Sequence, residues 1–286
     1  MSLDIGEAFG EGLSRLSTRT GLSLAVVFAI VALLSAVLSQ TLQIEGLEAI
    51  LETFRSSSPE QLDLTRAEYD RQIETLETQM ETTREASPLA LGLPLSVAAG
   101  GLLVLALVAE AVSVVAVRAF AAEETGSVAR GQVLDGLGLA TLNGFVGGIV
   151  VWGLVIVGSA FLLLPGLFFA VAFYFFRQEV ALGDANFIDA LASSWRLTKG
   201  ERLNVFALGL LVVVVSALAQ VANVGLATVS PLAATFASAA IGGVLSAFGA
   251  AVVTRGYLQM TDDTEPPDET TDDPYDAALG PDDIPE

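Results

Sequence analysis

Six long apolar stretches punctuate this chain, separated by shorter polar segments. They cover about Gly21–Leu42, Pro88–Arg118, Gly138–Leu164, Gly166–Leu182, Leu203–Leu226 and Pro231–Tyr257. Apolar runs of about 18 residues or more predict transmembrane helices. The fourth is the exception. From Gly166 to Phe176 it would rise only about 16 Å, against a hydrocarbon core of about 30 Å. It must therefore run on through Arg177 and Glu179 to about Leu182, drawing both charges towards the cytoplasmic leaflet. Pro165-Gly166 is expected to interrupt the apolar run between the third and fourth spans.

The polar segments have patterns of their own. Residues 1–20 carry Ile5, Phe9, Leu13 and Leu16 at helical spacing, predicting a cytoplasmic interfacial helix ahead of an uncleaved first span. Residues 184–199 repeat that character, with Phe187, Leu191, Trp195 and Thr198 on one face and basic residues at the end. Residues 43–87 hold 11 acidic and four basic side chains. Ile44, Leu47, Leu51 and Phe54 mark one short helix; Tyr69, Ile73, Leu76 and Met80 mark another. Ser58, Pro59 and Gln61 predict the start of the second through a capping box. The segment reads as an extracellular helical hairpin covering the ends of the first two spans, or as a docking arm for a partner. Residues 261–286 contain 11 acidic residues and no basic ones, which predicts a disordered acidic cytoplasmic tail. The fold expected is all-α: a polytopic bundle, with the six-span domain over residues 21–260.

Charge sets the expected orientation. With the N-terminus inside, Arg15, Arg19, Arg118, Arg130, Arg177, Arg196, Lys199, Arg202 and Arg255 are cytoplasmic, and Arg55, Arg66, Arg71 and Arg84 lie outside. Nine against four follows the positive-inside rule. The protein is expected in the cell membrane with both termini cytoplasmic. Net charge is -20 over 286 residues, and Lys199 is the one lysine. That balance suits a high-salt cytoplasm and argues against nucleic acid as a partner, because phosphate contacts need Lys and Arg.

A resemblance rests on the middle of the chain. Pro165-Gly166, the aromatic span ending in Glu179, then Ala190-Leu191, Ser194-Trp195, Leu197-Thr198 and Lys199-Gly200 resemble a family of haloarchaeal multi-pass membrane proteins. The same residues are similar, more distantly, to the membrane domain attached to some bacterial glycerophosphodiester phosphodiesterases. The resemblance implies a six-span membrane fold and no activity, since the catalytic barrel of those enzymes is missing here.

Candidate chemistry is sparse. The chain contains no cysteine and no histidine, which removes thiol chemistry, the commonest metal ligand and the commonest general base. No cofactor is expected. The intramembrane polar residues Glu110, Asn143, Arg177 and Glu179 form the candidate cluster, because ionisable groups inside a bilayer need partners. Glu179 is two residues from Arg177 and cannot face it on a helix. Glu110 is therefore expected to pair with Arg177, with Asn143 donating a further hydrogen bond. Gly144 and Gly148 form a GxxxG pair suited to close helix approach. Gln220 and Asn223 could bond across helices or face water. A faint repeat relates residues 5–38 to 186–219, through Arg15-Leu16-Ser17 and Arg196-Leu197-Thr198, with 127–137 as a shorter third unit.

The function expected is that of a membrane scaffold or accessory subunit without catalytic activity. The alternatives are a small-solute or ion transporter using Glu110 and, more weakly, a lipid-binding protein. The partners expected are membrane lipids and a membrane protein engaging residues 43–87 or the acidic tail.

Overall fold

The computed structural model describes residues 3–122 and 133–262. Most of the acidic tail and most of the 127–137 unit lie outside the described residues. Among the described residues ten helices have both bounds: α1 (Ile5–Leu16), α2 (Arg19–Ser56), α3 (Arg66–Ala86), α4 (Leu95–Ala121), α5 (Leu137–Phe161), α6 (Leu163–Ala172), α7 (Phe176–Leu182), α8 (Phe187–Leu197), α9 (Arg202–Val229) and α10 (Pro231–Asp262). No strand occurs among the described residues. Taking α6 and α7 together over Leu163–Leu182, six segments are long and apolar enough to cross a membrane. The fold is an all-α polytopic bundle.

α2, α4 and α10 form its centre. Without a hydrophobic drive between helices in lipid, close packing depends on small residues, and α10 meets α2 in that way. A Cβ added at Gly243 would stand 2.5 Å from the carbonyl oxygen of Ala25 and 2.6 Å from the Cβ of Ala29. Gly101 of α4 faces Leu38 of α2 with similar economy of space. α9 packs on the far side of α10, and the α5–α6 hairpin packs through α5 on α4.

α1 departs from the expected stripe. Asp4 caps it by accepting from the Glu7 N–H at 2.9 Å. Its buried face is Ala8, Gly12 and Leu16, whereas Leu13 is 47% exposed. The small residues win because α1 lies directly on α10, where a Cβ at Gly12 would fall 2.6 Å from Val252. Phe9 meets Phe248 edge to face with centroids 5.5 Å apart.

The hairpin of residues 43–87 forms, with two corrections. α2 does not end at Leu42; it continues unbroken to Ser56, because no residue in that stretch breaks a helix and Gly46 is accommodated within it. The Ser58 capping box is made, with Gln61 Oε1 accepting from the Ser58 N–H at 2.9 Å. It closes only a turn, ended at Asp63 with φ of 54°. α3 starts instead at Thr65, whose capping box with Glu68 is complete. Leu76 and Met80 then bury themselves against Leu51 of α2, with Leu47, Phe54 and Ile73 around them.

The turn between the third and fourth spans comes at Leu162, in extended conformation, three residues before Pro165. Pro165 sits in the first turn of α6, where its missing N–H costs nothing. Gly158 and Gly166 let the two strands of the hairpin touch backbone to backbone, a Cβ at Gly158 meeting the Gly166 nitrogen at 2.8 Å.

Candidate functional site

The site begins with a break. Between α6 and α7, Phe173–Phe175 leave the helix, which frees the Ala172 carbonyl from its usual partner. Ser194 and Thr198 of α8 donate to that oxygen, each at 3.2 Å. Trp195 beside them packs on Phe168 and Phe173, with centroids 5.3 and 5.8 Å away. Arg202 then lies 4.6 Å from the Phe168 ring and 4.8 Å from the Trp195 ring. The Ser-Trp-Arg-Leu-Thr stretch thus holds the break open, and the break aims α7.

α7 presents Arg177 to Glu110 of α4. Arg177 donates from Nε to Glu110 Oε1 at 3.0 Å and from Nη2 to Oε2 at 2.8 Å. This two-pronged pairing is the stronger form of the contact. The Glu110 residue is 8% exposed, so an unpaired carboxylate there would be costly. Gly144 of α5 makes the room: a Cβ on it would stand 2.4 Å from Glu110 Oε1. Gly147 does the same for Phe176, while Gly148 faces open space. The GxxxG spacing therefore does not describe the packing; Gly144 and Gly147 are the glycines that matter.

The other two candidates lie elsewhere. Asn143 gives nothing to the ion pair. Its amide donates to the Leu139 carbonyl at 3.1 Å and accepts from the Phe187 N–H at 3.2 Å, satisfying a free N–H at the start of α8. Glu179 faces Tyr257 and Arg196 instead of the pair. Two residues separate it from Arg177, and the helical turn sends them in different directions.

Two side chains that sequence reasoning left aside prove important. Arg118 appeared only as a cation marking orientation. Its side chain is 8% exposed, and it donates to the Ala181, Val133 and Asp135 carbonyls at 2.7, 3.0 and 2.5 Å, and to Asp184 at 3.2 Å. It clasps the ends of α4 and α7 to the chain entering α5. Gln178, next to Arg177, is 4% exposed, and its amide makes no hydrogen bond among the described residues. A glutamine beside a charge carries no pattern that would have singled it out.

Arg177 and Gln178 both line a half-open cavity of about 470 Å³ between α2, α4, α10 and the α6–α7 break. Tyr174, Ser113 and Ser246 also line it, the Ser113 hydroxyl donating to the Ala109 carbonyl at 2.9 Å and the Tyr174 hydroxyl lying beside Gly209 of α9, and no acidic side chain lines it. The Arg177 side chain is 47% exposed, while its carboxylate partner is turned away into the α4–α5 contact. The cavity thus meets the donor edge of the pair. Of the five N–H groups of a guanidinium, two are held by Glu110. Asn223, on α9, bonds across to α10 at Ser238 and at the Ala234 carbonyl, and Gln220 is exposed. No cluster of carboxylates suited to a metal ion occurs among the described residues.

The chain belongs to a family described as a domain of unknown function (DUF7847), whose pattern covers residues 3–260. No curated protein and no solved structure matches it.

Proposed function

We propose that the protein is a non-catalytic integral membrane protein that holds a small polar group inside its helix bundle, as a carrier or transporter would. The observation that carries this reading is the half-exposed Arg177 side chain, beside the unpartnered Gln178 amide oxygen, at a cavity of about 470 Å³. Pockets of this size are typical of small-molecule sites. A purely structural ion pair would be walled in on all sides. The absence of histidine and cysteine from the sequence supports a role without catalysis. The nine-to-four cation bias supports both termini in the cytoplasm and an outward α2–α3 arm, and the single lysine supports a high-salt cytoplasm. A scaffolding role has one observation in its favour: the arm presents an exposed, mainly acidic surface to a partner.

The cysteine-free sequence makes the test direct. Cysteine is introduced at Ser246, in the cavity wall, or at Val244, which is 46% exposed on the outer face of α10. Each purified variant in a lipid nanodisc is treated with a small charged thiol reagent. The cavity reading expects Ser246→Cys to react and Val244→Cys to resist. An unreactive Ser246→Cys means a closed bundle, and the scaffold reading then replaces this one. Topology is tested separately with Ser57→Cys and Thr264→Cys on intact cells: only the first should react with an impermeant reagent.

A further inference from the structure

We infer that the ligand of this cavity is an anionic amphiphile, a lipid or fatty acid whose phosphate or carboxylate headgroup sits at Arg177 and whose tail lies in a groove between α2 and α10. The inference rests on the cavity reading above and names the chemistry that the site would take.

The headgroup end follows from the donors. Arg177 keeps N–H groups free of Glu110, and the Tyr174 and Ser246 hydroxyls make no hydrogen bond within the described residues. Gln178 is more than nine-tenths buried; the atom without a partner is Oε1, an acceptor, so only its NH2 can serve an anion. The free Arg177 N–H groups and the Ser246 hydroxyl are donors, and an oxyanion between them would accept from both. No carboxylate lines the cavity to repel it.

The tail follows from what lies above. A second cavity, also about 470 Å³, continues between α2, α9 and α10 towards the arm, and Ala32 lines both. On α10, Thr235, Ser238, Gly242, Ser246 and Gly249 fall on one helical face. Gly242 falls between Ser238 and Ser246 along that face; it lines neither cavity, and a Cβ added there would meet nothing within 4 Å. On α2, Phe28, Ala32, Ala36 and Gln40 recur at every fourth position along the same course. The polar residues of the upper cavity are turned onto neighbours: Gln40 donates to Thr235 at 3.4 Å and accepts from the Leu89 N–H at 2.9 Å, and Asn223 donates to Ser238 and to the Ala234 carbonyl. Asn223 Oδ1 keeps no partner among the described residues; the rest of the wall open to a ligand is small and apolar, with Ala32, Ala36, Ala227 and Ala239. A donor-rich lower cavity next to a mainly apolar one, with Ala32 in the wall of both, matches the two halves of an amphiphile. A free hydrophilic anion fits less well, because the arm above the groove carries 11 acidic side chains against four basic ones.

The test uses the full-length Ser246→Cys protein in detergent and measures protection from the charged thiol reagent. Short-chain phosphatidic acid should slow labelling in a saturable way, while phosphatidylcholine of the same chain length and inorganic phosphate should not. Adding Gly242→Leu, which puts bulk on that face between Ser238 and Ser246, should raise the half-protecting lipid concentration about tenfold. Protection by inorganic phosphate at similar concentration would mean a site for the free ion and would overturn the amphiphile. Equal protection by phosphatidylcholine, or indifference to Gly242→Leu, would overturn the headgroup or the tail assignment. All three outcomes leave the reagent-accessible cavity standing, so they are distinct from an unreactive Ser246→Cys.

Discussion

The two ends of α2 are held by different physics. Towards Ser56 the helix meets α3 through Leu51, Leu76 and Met80, a narrow apolar strip, and through ion pairs whose side chains are about half exposed: Arg55–Glu77 at 2.5 Å and Arg84–Glu48 at 3.6 Å. Towards Arg19 the same helix meets α10 with its backbone almost touching, at Ala25, Ala29 and Gly243. Of the bundle's charges, the Glu110 and Arg118 side chains are about nine-tenths buried, and both are hydrogen-bonded. Where water drives apolar surface together, a strip of large side chains suffices. Where lipid surrounds the helices, association relies on close fit and on satisfied polar groups.

Breaking the enclosed charge pair should show the contrast most strongly. Arg177→Gln leaves Glu110 buried and alone, and we expect a loss of about 3 kcal/mol. Glu110→Gln leaves Arg177 facing the cavity, so its cost should be smaller, about 1–2 kcal/mol. The double variant should lose less than Arg177→Gln alone, as equilibrium unfolding in mixed micelles would show. Losses that simply add would mean that the pair is not coupled.

The close seam comes next. Gly243→Ala drives a methyl group against the Ala25 carbonyl and should cost about 1–3 kcal/mol. The same unfolding measurement checks it, and Gly242→Ala, in open space, serves as the control. In the arm, Met80→Ala should cost about 2 kcal/mol, but locally. Hydrogen exchange across α3 should quicken by roughly thirtyfold, since each 1.4 kcal/mol is about tenfold, while α4 and α10 stay unchanged. Faster exchange throughout would show that arm and bundle unfold together.

The smallest effect concerns pH. The Thr65 hydroxyl and then its backbone N–H donate to Glu68, at 2.6 and 2.9 Å, and hold its pKa below the ordinary 4.5. A carboxylate with a lowered folded pKa contributes above its unfolded value and loses that contribution as pH falls through the folded one. The first turn of α3 should therefore fray below about pH 4.5, seen as shifting amide resonances of Thr65 and Glu68, while the bundle keeps its spectrum. Thr65→Ala should bring the Glu68 titration back towards its ordinary range.

Much of this was legible in the chain. Apolar length alone located six spans, and the cost of an isolated charge in lipid pointed from Glu110 to Arg177. The short fourth span was also legible as a problem: Gly166–Phe176 was too brief to cross. Its solution was not. Phe173–Phe175 contain neither glycine nor proline, and the break among them is held by Ser194 and Thr198, some twenty residues away. Gln178 stayed hidden because its importance lies in lacking a partner, which is a property of its surroundings. Asn143 was misread for a related reason: its nearest unmet donor was the Phe187 N–H across the fold, not the charge pair.

α2 has one more consequence. At 38 residues without interruption it is a rod about 57 Å long, gripped about a quarter of the way along where Ala25 and Ala29 meet Gly243. Phe28 within that grip, and Ala32 and Ala36 just past it, are cavity wall; Leu51, further along, is the arm's core. Wall and arm are therefore one lever with its fulcrum at the Gly243 seam. Anything that pushes the arm sideways must swing the wall with it, and anything that wedges the wall outward must tip the arm.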